Sequence, residues 1–150
     1  MSSARRSVLV VEDSDEDFAT VDEAAKRASF PNPLHLANTG GECLALLRGE
    51  AGDGFLPAMV LLDLNTPGLD GREALAAIRS DVALGALPVV VLSTSANPVD
   101  IAECYALGAN AYHVKPVQYP EHLKLVTELL TYWLTTSVLP ELEEIHERQS

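Results

Sequence analysis

Short, unbroken aliphatic runs recur along this chain, and a longer stretch of helical periodicity separates each from the next. Val8-Leu9-Val10-Val11 and Val89-Val90-Val91-Leu92 show no polar alternation at all. A strand with one face in water alternates polar and apolar side chains, so runs like these need cover on both faces, as parallel sheets provide. Strands are expected at residues 7–11, 34–37, 58–62, 88–92 and 111–114. Between them Phe18, Val21, Ala25 and Ala28 repeat at helical spacing, as do Leu44 with Leu47 and Ala74 with Ala77 and Ile78. Asn97-Pro98 opens a fourth helix, with proline at its first position, and Gly108 closes it after Cys104 and Leu107. Pro120 opens a fifth in the same way. Strand and helix alternating in this way predict a three-layer α/β domain, a doubly wound parallel sheet with right-handed crossovers. At 150 residues and 47% hydrophobic, the chain can bury such a core without a metal or disulfide staple.

The last helical pattern, residues 121–138, is longer than this alternation requires. One stripe uses Leu123, Val126, Leu130 and Trp133 or Leu134; a second uses Leu125, Leu129 and Tyr132. One stripe should pack on the sheet. The other is a candidate homodimer surface in the C-terminal helix region, against the alternative of a frayed, partly buried terminal helix. Pro140 should break the helix, and Leu142 and Ile145 follow in an acidic tail. The expected organisation is one domain at 1–138 and a C-terminal extension at 139–150, too short to form an output domain.

Twenty-two acidic residues against ten basic ones give a formal charge of -12. Such a surface repels phosphate backbones and anionic lipid, so neither nucleic acid nor membrane is an expected partner. No run approaches the length that spans a bilayer, and the five-residue apolar stretch after the N-terminal basic patch ends at Glu12, so no signal peptide is expected. Cys43 and Cys104 form no CxxC pair, fall on different helices and read as small core residues, which suits a reducing, cytoplasmic setting. The four histidines lack metal spacing: His35 and His113 read as strand packing or edge residues, His122 and His146 as solvated helix positions.

Ligands of open parallel sheets bind outside the carboxyl ends of the strands. Glu12 and Asp13 follow the first strand, Asp63 the third, Ser93-Thr94-Ser95 the fourth and Lys115-Pro116 the fifth. Three carboxylates, a hydroxyl and one lysine should therefore share one rim. Two carboxylates ~5 Å apart at an effective dielectric of ~20 repel by about 3 kcal/mol. Either one is protonated or a cation sits among them. Oxygen ligands of this kind suit Mg2+. Asp15, Glu16 and Asp17 have a simpler explanation, since acids favour a helix N-terminus.

Val-Glu-Asp at 11–13, Asp-Leu-Asn-Thr-Pro-Gly-Leu-Asp-Gly at 63–71, Leu-Ser-Thr-Ser at 92–95 and Tyr-His-Val-Lys-Pro at 112–116 together resemble the receiver domain of two-component response regulators. The resemblance covers about residues 7 to 135, and its finer pattern is similar to stand-alone receivers paired with phytochrome-type sensor kinases. It implies a flavodoxin-like (βα)5 sheet in the order 2-1-3-4-5. It also implies a sensor histidine kinase as donor, with Asp63 attacking a phosphohistidine in line; a carboxylate nucleophile needs no general base. Mg2+ would be held by Asp13, Asp63 and the backbone carbonyl of Asn65, with Glu12 acting through water or assisting. Lys115 would pair with Asp63 and then with a phosphoryl oxygen, and Ser93 would donate its hydroxyl to another. Tyr112 resembles the aromatic that turns inward as the hydroxyl residue moves, and Ser93 stands where threonine is more usual. Asn65 and Ser95 match positions that tune hydrolysis, and Lys115–Pro116 matches a cis bond.

Three other functions compete with this one. A Mg2+-dependent phosphatase of the haloacid-dehalogenase type wants Asp-x-Asp near the chain start, but Asn65 stands at the second position here. A flavodoxin-like flavin carrier wants a phosphate loop after the first strand, where this chain places Glu12, Asp13, Asp15, Glu16 and Asp17. A pseudo-receiver would be an interaction module whose aspartate never reacts. The resemblance favours a receiver that catalyses only its own phosphorylation and dephosphorylation, with output through protein contacts.

Overall fold

The computed structural model describes residues 6–49, 56–64 and 71–140. The chain runs β1 (Val8–Val11), α1 (Asp15–Arg27), β2 (Leu34–Ala37), α2 (Gly40–Arg48), β3 (Met59–Asp63), α3 (Gly71–Ser80), β4 (Val89–Ser93), α4 (Pro98–Ala106), β5 (Ala111–Val114) and α5 (Tyr119–Thr131). The five strands form one sheet in the order β2-β1-β3-β4-β5, every pair parallel. Fold class and strand order are those the resemblance implies.

Side-chain alternation along the strands divides the core into two layers. Leu9, Val11, Val60, Leu62, Val89 and Val91 pack with residues of α2, α3 and α4, among them Cys43, Ile78 and Cys104. Val8, Val10, Met59, Leu61, Val90 and Leu92 pack with residues of α1 and α5, such as Val21 and Val126. Both cysteines are buried outside any disulfide, as expected, and burial pushes the Cys43 thiol up to about 12. The helices begin where side chains can replace missing backbone partners: Ser14 accepts from the Asp17 N–H at 3.2 Å, Thr39 from Glu42 and Asn97 from Val99. Gly108 follows α4 at φ 108°, a left-handed stop that a side chain resists.

The C-terminal helix departs from expectation. Regular α-helix ends at Thr131 and widens into a π-helical turn over Tyr132–Thr136, and the chain turns extended at Ser137. Thr127, Thr131 and Thr135 each donate a hydroxyl to the carbonyl four residues back, a contact that weakens and bends helices. The second stripe is largely covered: Leu129 is buried and Leu125 half-buried, while Tyr132 keeps 52% of its surface exposed. Packing continues two residues past the expected boundary at 138. Leu139 is buried, and the Pro140 carbonyl accepts from Arg6, whose guanidinium also reaches the carbonyls of Leu56 and Pro57. Leu142, Ile145 and His146 lie outside the described residues.

Candidate functional site

Register brings the functional side chains together. Val11 stands level with Leu62, so Glu12 and Asp63 occupy the next row, and Ser93 stands level with Val114, one residue before Lys115. Alternation then sorts them. Glu12, Asp63 and Lys115 continue the positions of Val10, Leu61 and Ala111 on the α1/α5 side, whereas Ser93 and Tyr112 belong with the α4 side.

On the first side the Lys115 ammonium lies 2.6 Å from Asp63 Oδ2, 2.7 Å from Asp17 Oδ2 and 3.6 Å from Glu12 Oε1. Asp63 and Glu12 are 3% and 4% exposed. Carboxylate oxygens of Glu12, Asp17 and Asp63 all lie within 4.8 Å of one another. With one ammonium among three carboxylates, the fully ionised group keeps an excess of negative charge, and oxygen donors at this spacing fit a divalent ion such as Mg2+.

Without such an ion, the excess charge is held down by a proton. Burial first, then a hydrogen bond to Asp63 and its charge, raise Glu12 to about 8, against the opposing pull of Lys115 and of the Ser14 N–H. Burial pulls the Lys115 ammonium down, but hydrogen bonds to Asp17 and Asp63 and the charges of Asp63 and Glu12 outweigh it, so its pKa is raised. Lysine and glutamic acid thus supply both kinds of charge compensation that strand-end crowding demands.

On the other side, Ser93 is buried and its Oγ accepts from the Ser95 N–H at 3.1 Å. Ser95 Oγ donates to Asp100 Oδ2 at 2.6 Å, and Asp100 in turn meets Arg72 of α3 at 3.4 Å. The Tyr112 hydroxyl donates to the Ser95 carbonyl at 2.8 Å, which turns this half-buried ring toward the β4–α4 loop.

Several expected residues stand differently. Asp13 is exposed and is not one of the three carboxylates that converge among the described residues; Asn65 lies outside them. The Lys115–Pro116 bond is trans, since no peptide bond among the described residues is cis. The trans form is the more stable by ~0.5–1 kcal/mol for prolyl bonds. Here the Lys115 N–H bonds the Ser93 carbonyl and its ammonium reaches Asp63 without the cis form. His122 is buried, not solvated; burial lowers its pKa, and Asp17 opposes that shift. His35 is an exposed edge residue and His113 is half-buried on β5.

Asp17 was missed because its role at a helix start had a sufficient local explanation. The available signal was its place in the first turn of α1, since helical side chains lean toward the N-terminus and there cover the strand–helix junction.

A parallel five-stranded sheet that gathers a buried aspartate, two further acids and a lysine at its carboxyl edge is compatible with phosphorylation beside a divalent ion, the arrangement of a receiver domain. The chain belongs to the response regulator receiver domain family, whose model matches residues 8–127. It is similar to response regulator Rcp1 of a Synechocystis species, 37% identical over 141 residues that cover 93% of this chain and 96% of that protein. The crystal structure of the phosphorylated cyanobacterial phytochrome response regulator RcpA is 38% identical with a TM-score of 0.86, covering 91% of this chain and 99% of that one. The manganese-bound form of Rcp1 is 36% identical with a TM-score of 0.83, covering 90% and 99%.

Proposed function

We propose that this chain takes a phosphoryl group onto Asp63 from the phosphohistidine of a sensor histidine kinase and passes the signal on through protein contacts. The observation that supports it best is the ammonium of Lys115, 2.6 Å from the buried Asp63 carboxylate. In the transfer, an Asp63 oxygen forms the new O–P bond as the P–N bond to the histidine breaks in line. The Lys115 ammonium and the Ser93 hydroxyl receive phosphoryl oxygens, and Asp63 needs no base because it attacks as the carboxylate. Mg2+ would supply charge neutralisation at the phosphoryl oxygens. Its ligands would be Asp13, Asp63 and the Asn65 carbonyl, with Glu12 through water or assisting; the convergence of Glu12 and Asp63 supports such a set.

Asn65 and Ser95 would set the rate at which water removes the phosphoryl group, and Ser93 with Tyr112 would relay its arrival to α4 and β5. The chain would catalyse only its own phosphorylation and dephosphorylation. Likeness to phytochrome response regulators supports a phytochrome-type kinase as donor, in the cytoplasm. A homodimer through the C-terminal helix region is supported by the half-exposed Tyr132 and Trp133 beside β5, the edge strand of the sheet; sedimentation of wild type and Tyr132→Asp would show the dimer lost in the variant.

The formal charge of -12 argues against DNA and anionic lipid as partners; among the described residues no helix is long and apolar enough to cross a membrane. Intact-mass measurement after incubation with acetyl phosphate tests the phosphoacceptor directly. A phosphoryl adduct that requires Mg2+ and vanishes in Asp63→Asn is expected; an adduct that persists in Asp63→Asn would sink the assignment.

A further inference from the structure

The Lys115 ammonium has two close carboxylate partners, not one. Asp63 Oδ2 lies at 2.6 Å and Asp17 Oδ2 at 2.7 Å. The lysine is fixed at its root by the Ser93 carbonyl, which accepts its N–H at 2.7 Å. Asp17 is fixed by the cap of α1, where its N–H donates to Ser14 Oγ. The pair therefore bridges α1 and the β5–α5 turn from two held ends. Of the two partners Asp17 is the outer one: its side chain keeps 29% of its surface exposed against 4% for Asp63. It also lines the groove formed with Glu16, Thr20, Val117, Tyr119 and His122.

A phosphoryl group on Asp63 adds ~1.5–2 negative charges and three strong acceptor oxygens beside an ammonium that has only three donors. Asp17 and the phosphoryl group then compete for the same cation. Because like charges repel most where water is scarce, both cannot hold it equally.

We propose that Asp17 is a positioning residue of this site, holding the Lys115 ammonium while Asp63 is free and losing it to the phosphoryl group once Asp63 is modified. It rests on Asp63 being the phosphoacceptor. Two consequences follow from the geometry. Resting Asp17 draws on the charge that Lys115 can offer an incoming phosphoryl group, so it restrains the reaction. Its release removes the bridge between α1 and the β5–α5 turn, so the α1/α5 side registers phosphorylation separately from the Ser93 and Tyr112 side.

The test compares wild type, Asp17→Asn and Asp17→Glu as full chains, with acetyl phosphate at saturating Mg2+ and the adduct followed by intact mass. Asp17→Asn should react about three- to tenfold faster, having lost both a competitor for the lysine and a charge facing the donor. Asp17→Glu keeps the charge and should stay within about twofold of wild type. A second measurement does not depend on any variant: the wild-type crystal structure with Mg2+ and beryllofluoride should show Lys115 Nζ on a fluoride and more than about 4 Å from Asp17, beyond ion-pair range. An unchanged rate in Asp17→Asn overturns the proposal, as does a lysine still paired with Asp17 beside the fluoride. A slower rate overturns it in favour of Asp17 as a ligand of the ion. If wild type itself gains no adduct on Asp63, it is the phosphoacceptor assignment that fails.

Discussion

Glu12 carries the clearest pH signature of any single side chain here. Its carboxyl is raised from 4.5 to about 8, first by burial and then by Asp63, so the folded chain keeps a proton that the unfolded chain has released. Between those two values the folded state binds more protons than the unfolded one, and stability must fall as pH rises. The loss is complete only above the folded value. Lys115 has the same sign in a different window: its raised pKa contributes stability that is fully present below about 10.5 and is lost only in stronger alkali, so it leaves the neutral range flat. Urea unfolding of the metal-free protein at several pH values should therefore show a midpoint declining from pH 5 to 8. Glu12→Gln, which keeps a hydrogen-bonding amide but cannot ionise, should flatten that decline. An equal decline in the variant would place the titrating group elsewhere.

Among the elements, the junction of α4 and β5 is held from several sides by one side chain of α3. Arg79 of α3 donates to the carbonyls of Gly108 and Leu87 at 2.8 and 2.7 Å and to Asn110 Oδ1 at 2.7 Å. A Cβ at Gly108 would meet the Arg79 Cγ at 2.7 Å, in backbone already at φ 108°. Gly108→Ala should destabilise by about 1–3 kcal/mol, read as a lower urea midpoint at unchanged slope. A change within about 0.5 kcal/mol would show that Arg79 yields freely.

The stop at Gly108 was legible from composition, like the strands, because unbroken runs such as Val89-Val90-Val91-Leu92 admit few other folds. The end of α5 was not. Apolar spacing continues through Trp133 and Leu134, while the widening to a π-turn arises from hydroxyls of Thr127, Thr131 and Thr135 competing for helix carbonyls. Strand ends revealed Glu12, Asp63, Ser93 and Lys115, since parallel register aligns them. Asp17 and His122 reach the site from helices, through orientation that strand spacing does not encode.

The whole molecule is needed to assemble the acidic site, since its carboxylates come from β1's end, α1 and β3 and meet only when the sheet is paired. An unfolded chain cannot gather them, so a divalent ion must stabilise the fold by mass action. At ~100 times its dissociation constant, Mg2+ adds about 2.7 kcal/mol. For a domain of this size that raises Tm by roughly 5–10 °C. The ion also displaces the Glu12 proton, so the shift should grow from pH 6 toward pH 8, the range in which that proton is bound without metal. Asp63→Asn removes a charge from the cluster and should lose most of the shift. Differential scanning calorimetry with and without Mg2+ at the two pH values separates the possibilities. A shift of equal size in wild type and Asp63→Asn would mean that the ion binds outside the acidic cluster. A shift that fails to grow as pH rises would mean that the ion binds without displacing the Glu12 proton.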